Sequence, residues 1–385
     1  MLPRAKGKHS YMKMLVAVKK DEGALSPSET FLRLHITKVT GVVDGLIGNP
    51  GKRRFHYSGA SLMPQNLAYK VVKNLTRMVA GENHYFSDSR VLARYLTKHN
   101  IDIVLAEYGS TAVEVMDACR LAKVKLVAHF HGWDAYADEM LAQYGQAYTR
   151  LFEQAAHIIA VSRHMQAQLE SLGCPAHKIT VNPCGADISD TLERTGQTTQ
   201  VRDFIIVGRL TPKKAPLVSL EAFHRILRTT ADARLHIIGD GPLMAPCEEY
   251  VKQHGLAQQV IFHGAQGHDY VIEKLQQSDC FLQHSVVAPN GDHEGTPVSV
   301  LEAMLLGLPT IATRHAGIND VITHQQTGFM VDEHDIDEMT AQMQFVIDNP
   351  AVAFAIGQAA RKHVLANHTA GINIMNIEKM LSSLR

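Results

Sequence analysis

Short apolar runs alternate with helix-length amphipathic segments along most of this 385-residue chain. Runs such as Met14–Val18 and Ile101–Ala106 are typical of buried strands, and segments such as Glu139–Gln154 show the apolar period of a helix. Strand and helix in alternation predict β-α-β units around a parallel sheet. The predicted fold class is therefore α/β.

The alternation comes in two series, separated by a polar, aperiodic stretch at residues 191–200. We expect an N-terminal domain over residues 1–190 and a C-terminal domain over residues 191–366. A last amphipathic helix is expected within residues 367–385. Two α/β domains in series, with a cleft between them, are the simplest architecture, and ligands of open α/β sheets bind beyond the carboxyl ends of the strands.

Composition excludes several classes of protein. Lys and Arg together number 38 and so do Asp and Glu, and this zero net charge argues against a nucleic-acid binder. The five cysteines form no C-x-x-C pair, which argues against a disulfide framework or a zinc ribbon. With no signal peptide and no spanning segment recognised, we expect a cytoplasmic protein. Basic residues near the start and at 52–54 predict solvated surface, with peripheral contact to the inner face of a membrane as the alternative.

Two glutamates, Glu294 and Glu302, flank a helix-start signal. Thr296 is predicted as the N-cap and Pro297 in the first turn. A helix start attracts anions, and Glu302 lies only about 8 Å of helix beyond Pro297. An anion there has one carboxylate on each side, which suits a sugar nucleotide. Chance spacing on an ordinary surface helix is the alternative.

Two basic residues follow the first strand of the second series. The strand ends at Gly208, so Arg209 and Lys214 lie on the strand-to-helix loop, and Lys213 is expected to be their exposed neighbour. Arginine and lysine together neutralise a diphosphate and stabilise it as a leaving group. A solvated basic turn is the alternative. Further on, Gly264 ends a strand and is expected to line a base pocket.

In the first series, His131 and Asp134 follow a strand and are expected to face the cleft beside Trp133, the single tryptophan. Gly23 follows the first strand and lets backbone approach a ligand. His129 with His131, and the run Asp292-His293-Glu294, carry metal-ligand side chains without a recognised metal spacing. We therefore expect no metal and no other cofactor.

Together these motifs resemble the retaining glycosyltransferase family four. The resemblance rests on Gly208-Arg209-Leu210 with Lys214, Gly239-Asp240-Gly241-Pro242, Glu294-Gly295, Leu301-Glu302-Ala303-Met304, His131-Gly132-x-Asp134 and Val181–Asp187. Ser26–Phe31 resembles members that build bacterial exopolysaccharides such as colanic acid. Two departures are visible: Ala215 stands where a glycine often follows the lysine, and Pro297 removes one amide donor.

The resemblance implies the GT-B fold, in which two Rossmann-like domains face a cleft and a final helix crosses back to the first domain. It also implies site residues. Arg209 and Lys214 would bind the donor diphosphate, Glu302 the ribose and Glu294 the transferred sugar, with His131 beside that sugar. The predicted catalytic residues are His131, Arg209, Lys214 and Glu294. The predicted donor-binding residues are Gly23, Gly208, Arg209, Lys214, Gly264, Glu294, Gly295, Thr296, Val298 and Glu302.

The expected reaction is transfer of a hexose from a UDP- or GDP-sugar to a hydroxyl of a glycan or lipid-linked oligosaccharide, with retention of anomeric configuration. A GT-B sugar-nucleotide epimerase is the alternative among enzymes. A non-catalytic sugar-nucleotide-binding protein is the alternative outside enzymes. The base, the sugar and the acceptor are left open.

Overall fold

The computed structural model describes residues 12–20, 30–49, 52–62, 71, 86–188, 192 and 200–384. The first of its two sheets has seven strands in the order β3-β2-β1-β4-β5-β6-β7, and only β3 pairs antiparallel. Its strands are β1 Met14–Val18, β2 Val42–Ile47, β3 Arg54–Phe55, β4 Ile103–Glu107, β5 Lys125–Phe130, β6 His157–Ala160 and β7 Ile179–Val181.

Helices cover both faces of this sheet, which is why β1 and β4 are continuous buried runs. The helices are α1 Thr30–Lys38, α2 Phe86–Lys98, α3 Gly109–Ala122, α4 Trp133–Tyr136, α5 Asp138–Gln154 and α6 Arg163–Ser171. Ser162 caps α6, since its hydroxyl oxygen accepts a hydrogen bond from the Met165 N–H at 3.1 Å.

The second sheet has six parallel strands in the order β10-β9-β8-β11-β12-β13. They are β8 Asp203–Val207, β9 Arg234–Ile238, β10 Val260–Gly264, β11 Cys280–Gln283, β12 Thr310–Thr313 and β13 Phe329–Val331. The strand order reverses at β8, which pairs with β9 on one side and β11 on the other. A ligand crevice opens at such a switch point.

Seven helices in the described residues accompany this second half. They are α7 Pro216–Ile226, α8 Met244–Gln253, α9 His268–Gln277, α10 Val298–Leu305, α11 Ile336–Asp348, α12 Pro350–Asn367 and α13 Ala370–Ser383. Helix α13 contacts the first half: Ile377 and Met380 share a buried apolar cluster with Met14 and Val16 of β1.

The α/β fold with two Rossmann-like domains is confirmed, whereas the boundaries 1–190, 191–366 and 367–385 stay a prediction. The short strands β3 and β13 were not predicted. The apolar period of residues 67–79 also predicts a helix, and of these residues the structure describes only Val71, which is helical. Among the helices of the described ranges, none combines the length and apolar character that crossing a membrane requires.

Candidate active site

The loop after β8 presents its charged residues at the switch point. Gly208 has φ 150°, and an added Cβ there would lie 3.6 Å from Lys214 Cε, so the lysine side chain passes over this glycine. Lys214 ends a short 3₁₀ helix that begins at Pro212. Ala215 follows in the left-handed region, with φ 35° and ψ 52°. This conformation costs an alanine about 1 kcal/mol and explains why glycine suits the position.

Lys214 and Glu294 form a buried ion pair. The lysine Nζ lies 3.1 Å from Glu294 Oε1, and only 6% of Glu294 is exposed. Burial alone would raise the pKa of Glu294, but Lys214 and then Lys213 outweigh it and hold the pKa below its usual value. Burial lowers the pKa of Lys214, and Glu294 offsets part of that effect. The pair therefore keeps Glu294 ionised.

The neighbouring lysine is also paired, so the prediction that Lys213 is exposed was wrong. Its Nζ lies 3.1 Å from Asp292 Oδ2 and donates a hydrogen bond to the His293 carbonyl at 3.2 Å. Arg209 is exposed, and its side chain has no hydrogen bond or ion pair with any residue in the described part of the chain. The two lysines face two carboxylates, so Arg209 supplies the surplus positive charge of the loop.

Thr296 is not the N-cap of α10, contrary to the prediction. The helix begins at Val298 with Pro297 in the cap position, and no side chain caps it. The Thr296 hydroxyl instead donates to the carbonyl of Val161, which follows β6 of the first sheet. Val298 packs against the apolar core of the first domain. Tertiary contacts between the domains have overridden the local capping signal.

Glu302 lies in the second turn of α10 and is 5% exposed. Its Oε1 lies 2.8 Å from His268 Nε2 at the start of α9, and this hydrogen bond raises the pKa of His268. Gly264 ends β10 with φ +66°, and its carbonyl accepts a hydrogen bond from the Gly239 N–H at 2.9 Å. The start of α10 thus stands between Glu294 and Glu302 along the chain.

The His131–Gly132 loop after β5 meets the loop before α10. A Cβ added to Gly132 would lie 3.1 Å from the His293 carbonyl oxygen, and one added to Gly295 would lie 2.2 Å from the His131 carbonyl oxygen. Glycine is required on both sides for the two backbones to approach this closely. The structure therefore brings His131 of the first domain beside Gly295 of the second.

Asp134 does not face the cleft, contrary to the prediction. It is fully buried, and Oδ1 accepts hydrogen bonds from the His131 and Gly132 N–H groups at 3.0 Å each. Oδ2 accepts another from the Gly109 N–H at 2.7 Å. Burial raises the pKa of Asp134, although these N–H donors oppose the shift. Asp134 therefore fixes the backbone of the loop.

The His131 side chain belongs to a buried group that we call the histidine cluster: His35, Glu107, His129 and His131. Glu107 Oε1 lies 2.7 Å from His35 Nδ1, and Oε2 lies 2.7 Å from His131 Nε2. Burial alone would raise the pKa of Glu107, but His35 and His129 hold it well below its usual value. Sequence reasoning missed His35 and Glu107. In the part of the chain that is described, His35, Glu107 and His129 form the group close enough to hold a metal ion.

Sequence reasoning also missed His315 and Glu333. The Glu294 N–H donates to His315 Nε2 at 3.2 Å, so His315 Nδ1 must carry the proton that it shares with Glu333 Oε1 at 2.6 Å. Burial lowers the pKa of His315, in keeping with this neutral ring. His315 thus fixes the backbone at Glu294. Predicted Gly23 lies outside the described residues.

Comparison with known families now identifies the chain. Residues 188–363 match the family Glycosyl transferases group 1, and residues 49–190 match Glycosyltransferase Family 4. The two matches together span most of the chain.

The chain belongs to these glycosyltransferases.

Curated relatives of this glycosyltransferase include the putative colanic acid biosynthesis glycosyltransferase WcaL of Salmonella typhimurium. It is 29% identical over 266 residues, which are 68% of this chain and 66% of the relative. The amylovoran biosynthesis glycosyltransferase AmsK of Erwinia amylovora is 29% identical over 286 residues, 74% of this chain and 70% of AmsK. The match thus spans about two thirds of the length of these relatives.

Among solved structures, Anabaena HepE in complex with UDP superimposes with a TM-score of 0.73 at 18% identity. The alignment covers 97% of this chain and 100% of HepE. At this identity the likeness establishes the fold, which is GT-B.

Proposed function

We propose that this chain is a retaining hexosyltransferase that takes its sugar from a UDP- or GDP-sugar. The observation that carries the proposal is the loop after β8, where the buried Lys214–Glu294 pair lies beside an exposed Arg209 with surplus positive charge. A donor diphosphate would bind to Arg209 and Lys214, which stabilise its charge as it departs. Because Gly208 has no side chain, the donor phosphates could approach the backbone there closely.

The reaction exchanges one bond at the anomeric carbon. The bond from this carbon to the diphosphate oxygen breaks, and its electron pair leaves with the diphosphate. The acceptor hydroxyl forms the new bond on the same face and gives its proton to the departing diphosphate oxygen, which is the base on that face. The amides of Gly295, Thr296 and Val298 would hold phosphate at the start of α10.

The remaining predicted residues bind the ends of the donor. Glu294 would orient hydroxyls of the transferred sugar, since its carboxylate is held ionised against Lys214. Glu302 would accept hydrogen bonds from the ribose, and backbone at Gly264 and Gly23 would contact the base and the sugar. His131 would lie beside the sugar, because its backbone adjoins Gly295.

The relatives support a choice of acceptor. WcaL and AmsK are named for colanic acid and amylovoran biosynthesis, and HepE binds UDP. We therefore propose that the acceptor is a growing cell-surface glycan or a lipid-linked oligosaccharide. A cytoplasmic protein in peripheral contact with the inner face of the membrane would meet such an acceptor.

A panel of UDP- and GDP-sugars tests the function. Release of nucleoside diphosphate is measured with and without a lipid-linked acceptor, and the anomeric configuration of the product is read by NMR. A transferase releases nucleotide with formation of an acceptor product, and retention keeps the donor configuration. Conversion of the donor without acceptor would favour the epimerase. Binding without release would favour the non-catalytic protein.

A further inference from the structure

The carboxylate of Glu107 is fully buried at the end of β4, yet three imidazoles lie around it. Glu107 Oε1 is 2.7 Å from His35 Nδ1, Oε2 is 2.7 Å from His131 Nε2, and His129 Nδ1 is 3.2 Å from Oε2. The side chain of Glu107 has no exposure to solvent. A buried carboxylate requires donors and a compensating charge.

The protonation of His35 follows from its two partners. Asn373 of α13 donates its side-chain N–H to the Pro183 carbonyl at 2.7 Å, so its Oδ1 is an acceptor. His35 Nε2 lies 3.1 Å from that Oδ1 and must donate to it. His35 Nδ1 faces a carboxylate and must donate as well. His35 is therefore an imidazolium, and burial, which lowers its pKa, is outweighed by Glu107, which raises it.

This arrangement favours a hydrogen-bonded ion pair over a metal site. A protonated Nδ1 has no lone pair for a metal, and contacts of 2.7 Å have the length of charge-assisted hydrogen bonds. His35 cancels the charge of Glu107, which leaves Oε2 to accept from His131. Because Oε2 is an acceptor only, His131 Nε2 carries its proton in either charge state of the ring.

We propose that Glu107 is a positioning residue, which holds the His131 ring through Nε2 and fixes the proton on that nitrogen. The ring also contacts Phe31, at a centroid distance of 4.5 Å, and His129, at 4.1 Å. Asp134 holds the backbone of the same residue. Two buried carboxylates thus fix one histidine, one at its backbone and the other at its ring.

The inference rests on the proposed function, since the contact between His131 and the donor sugar belongs to that function. Its first test needs no substrate. In protein labelled with ¹⁵N-histidine, two-dimensional NMR reports which ring nitrogens are protonated, and the signal lost in His131→Gln identifies the residue. We expect a protonated Nε2 in His131 of the wild type. An unprotonated Nε2 would overturn the proposal whether or not the protein is a transferase.

The variant for this experiment is Glu107→Gln. A glutamine has one acceptor oxygen for two imidazoles, so the fixed proton position at His131 should be lost and its ring signals should shift. The matched control is Glu114→Gln, because Glu114 is another fully buried glutamate of this domain, bonded to Arg53 at 2.7 Å and Lys19 at 2.9 Å. The control should leave the His131 signals unchanged. Unchanged His131 signals in Glu107→Gln would contradict the proposal.

A double-mutant cycle on turnover separates positioning from a general loss of structure. Glu107→Gln should lower kcat about 10- to 100-fold with little change in KM, because a misplaced group slows the reaction more than binding. In a His131→Ala background the same substitution should change kcat less than about twofold. Equal losses in both backgrounds would mean that Glu107 does not act through His131.

Two further measurements complete the test. If Glu107→Gln does not fold, Glu107→Asp keeps the charge for His35 but draws the carboxylate back by one methylene. It should show the same loss of kcat with little change in KM.

The metal content of the purified wild type is measured by mass spectrometry. One equivalent of metal that is lost in His35→Ala would make these residues ligands and overturn the hydrogen-bonded arrangement.

Discussion

Two buried carboxylates of this protein are neutralised in different ways. In the second domain Glu294 faces Lys214 at 3.1 Å, and in the first domain Glu107 faces His35 at 2.7 Å. Lysine stays charged across the physiological range, whereas histidine changes charge within it. In the second domain burial lowers the pKa of Lys214, but from an ordinary value far above neutrality. The pair in the first domain is therefore the one expected to respond to pH near neutrality.

The direction of that response follows from the pKa shifts. The pKa of His35 is raised, so its contribution to stability is complete below about pH 6.5 and is lost as the pH rises through the folded value. The pKa of Glu107 is lowered, so its contribution is complete above about pH 4.5 and is lost on further acidification. The His35–Glu107 pair is thus most stabilising between these two values.

The largest expected effect is the loss of kcat when Lys214 is removed from its pair with Glu294. Lys214→Ala should lower kcat by about 10²- to 10³-fold, because it removes a positive charge from the departing diphosphate. Glu294 would also be left buried without its partner, so the free energy of unfolding should fall. Steady-state nucleotide release gives kcat, and circular dichroism checks the fold. A kcat near the wild-type value would remove Lys214 from the reaction.

Lys213→Ala is the matched control on the same loop. In the wild type the Lys213 Nζ forms an ion pair with Asp292 and donates a hydrogen bond to the His293 carbonyl, and the ion pair is only partly buried. Loss of such a pair costs the folded state about 1 kcal/mol or less. Because Lys213 is not assigned to the diphosphate, kcat should change less than about fivefold, which corresponds to an activation free energy within about 1 kcal/mol of the wild type. Similar losses in the two variants would erase the distinction between the two lysines.

The same comparison shows what sequence could predict. The residues of the loop after β8 and of the start of α10 lie within short strand-loop-helix stretches, so the pattern of one segment predicts them. The histidine cluster joins α1, β4 and β5 and is bonded to α13, with His35 and Asn373 separated by 338 positions. One histidine among 22 carries no local signal of such a contact. Glu107 could have been found, because it ends a buried strand on the edge where ligands bind.

Local patterns also failed where tertiary contacts competed with them. Thr296 stands where the sequence predicts an N-cap, but its hydroxyl donates a hydrogen bond to the carbonyl of Val161 instead. Strands β3 and β13, with two and three residues, are too short to show a period. Alternation predicts a parallel sheet, yet it does not specify the strand order, which depends on contacts between distant segments.

The response to pH gives the next largest effect. Burial and the neighbouring His131 lower the pKa of His129 to about 4, so folded His129 stays neutral while the unfolded chain binds a proton below about pH 6.5. Stability should therefore fall as the pH drops from 6.5 to 4, by ~3 kcal/mol from this residue. His129→Phe should remove that share of the loss, as measured by urea unfolding at several pH values.

A second buried histidine provides the parallel in the other domain. Burial lowers the pKa of His284 to about 4, and its Nε2 accepts a hydrogen bond from the His334 N–H at 2.8 Å. His284→Phe should reduce the acid-induced loss in the same direction, although it also removes that hydrogen bond. If both variants kept the wild-type dependence on pH, these two rings would not be the source of the acid sensitivity.

The smallest expected effect concerns Glu302, a second-domain carboxylate that pairs with a histidine, as Glu107 does in the first domain. Its carboxylate already accepts a hydrogen bond from His268, so a ribose hydroxyl gains only the difference between two bonds. Glu302→Ala should weaken binding of UDP or GDP about tenfold, measured by calorimetry. Unchanged affinity would mean that Glu302 does not bind the ribose.

His268 competes with the ribose for the carboxylate of Glu302, so His268→Ala should not weaken nucleotide binding. Because the pKa of His268 is raised, its hold on Glu302 should weaken as the pH rises through that pKa, and nucleotide affinity should then increase. That increase should be smaller in His268→Ala, where ionisation of the nucleotide alone contributes.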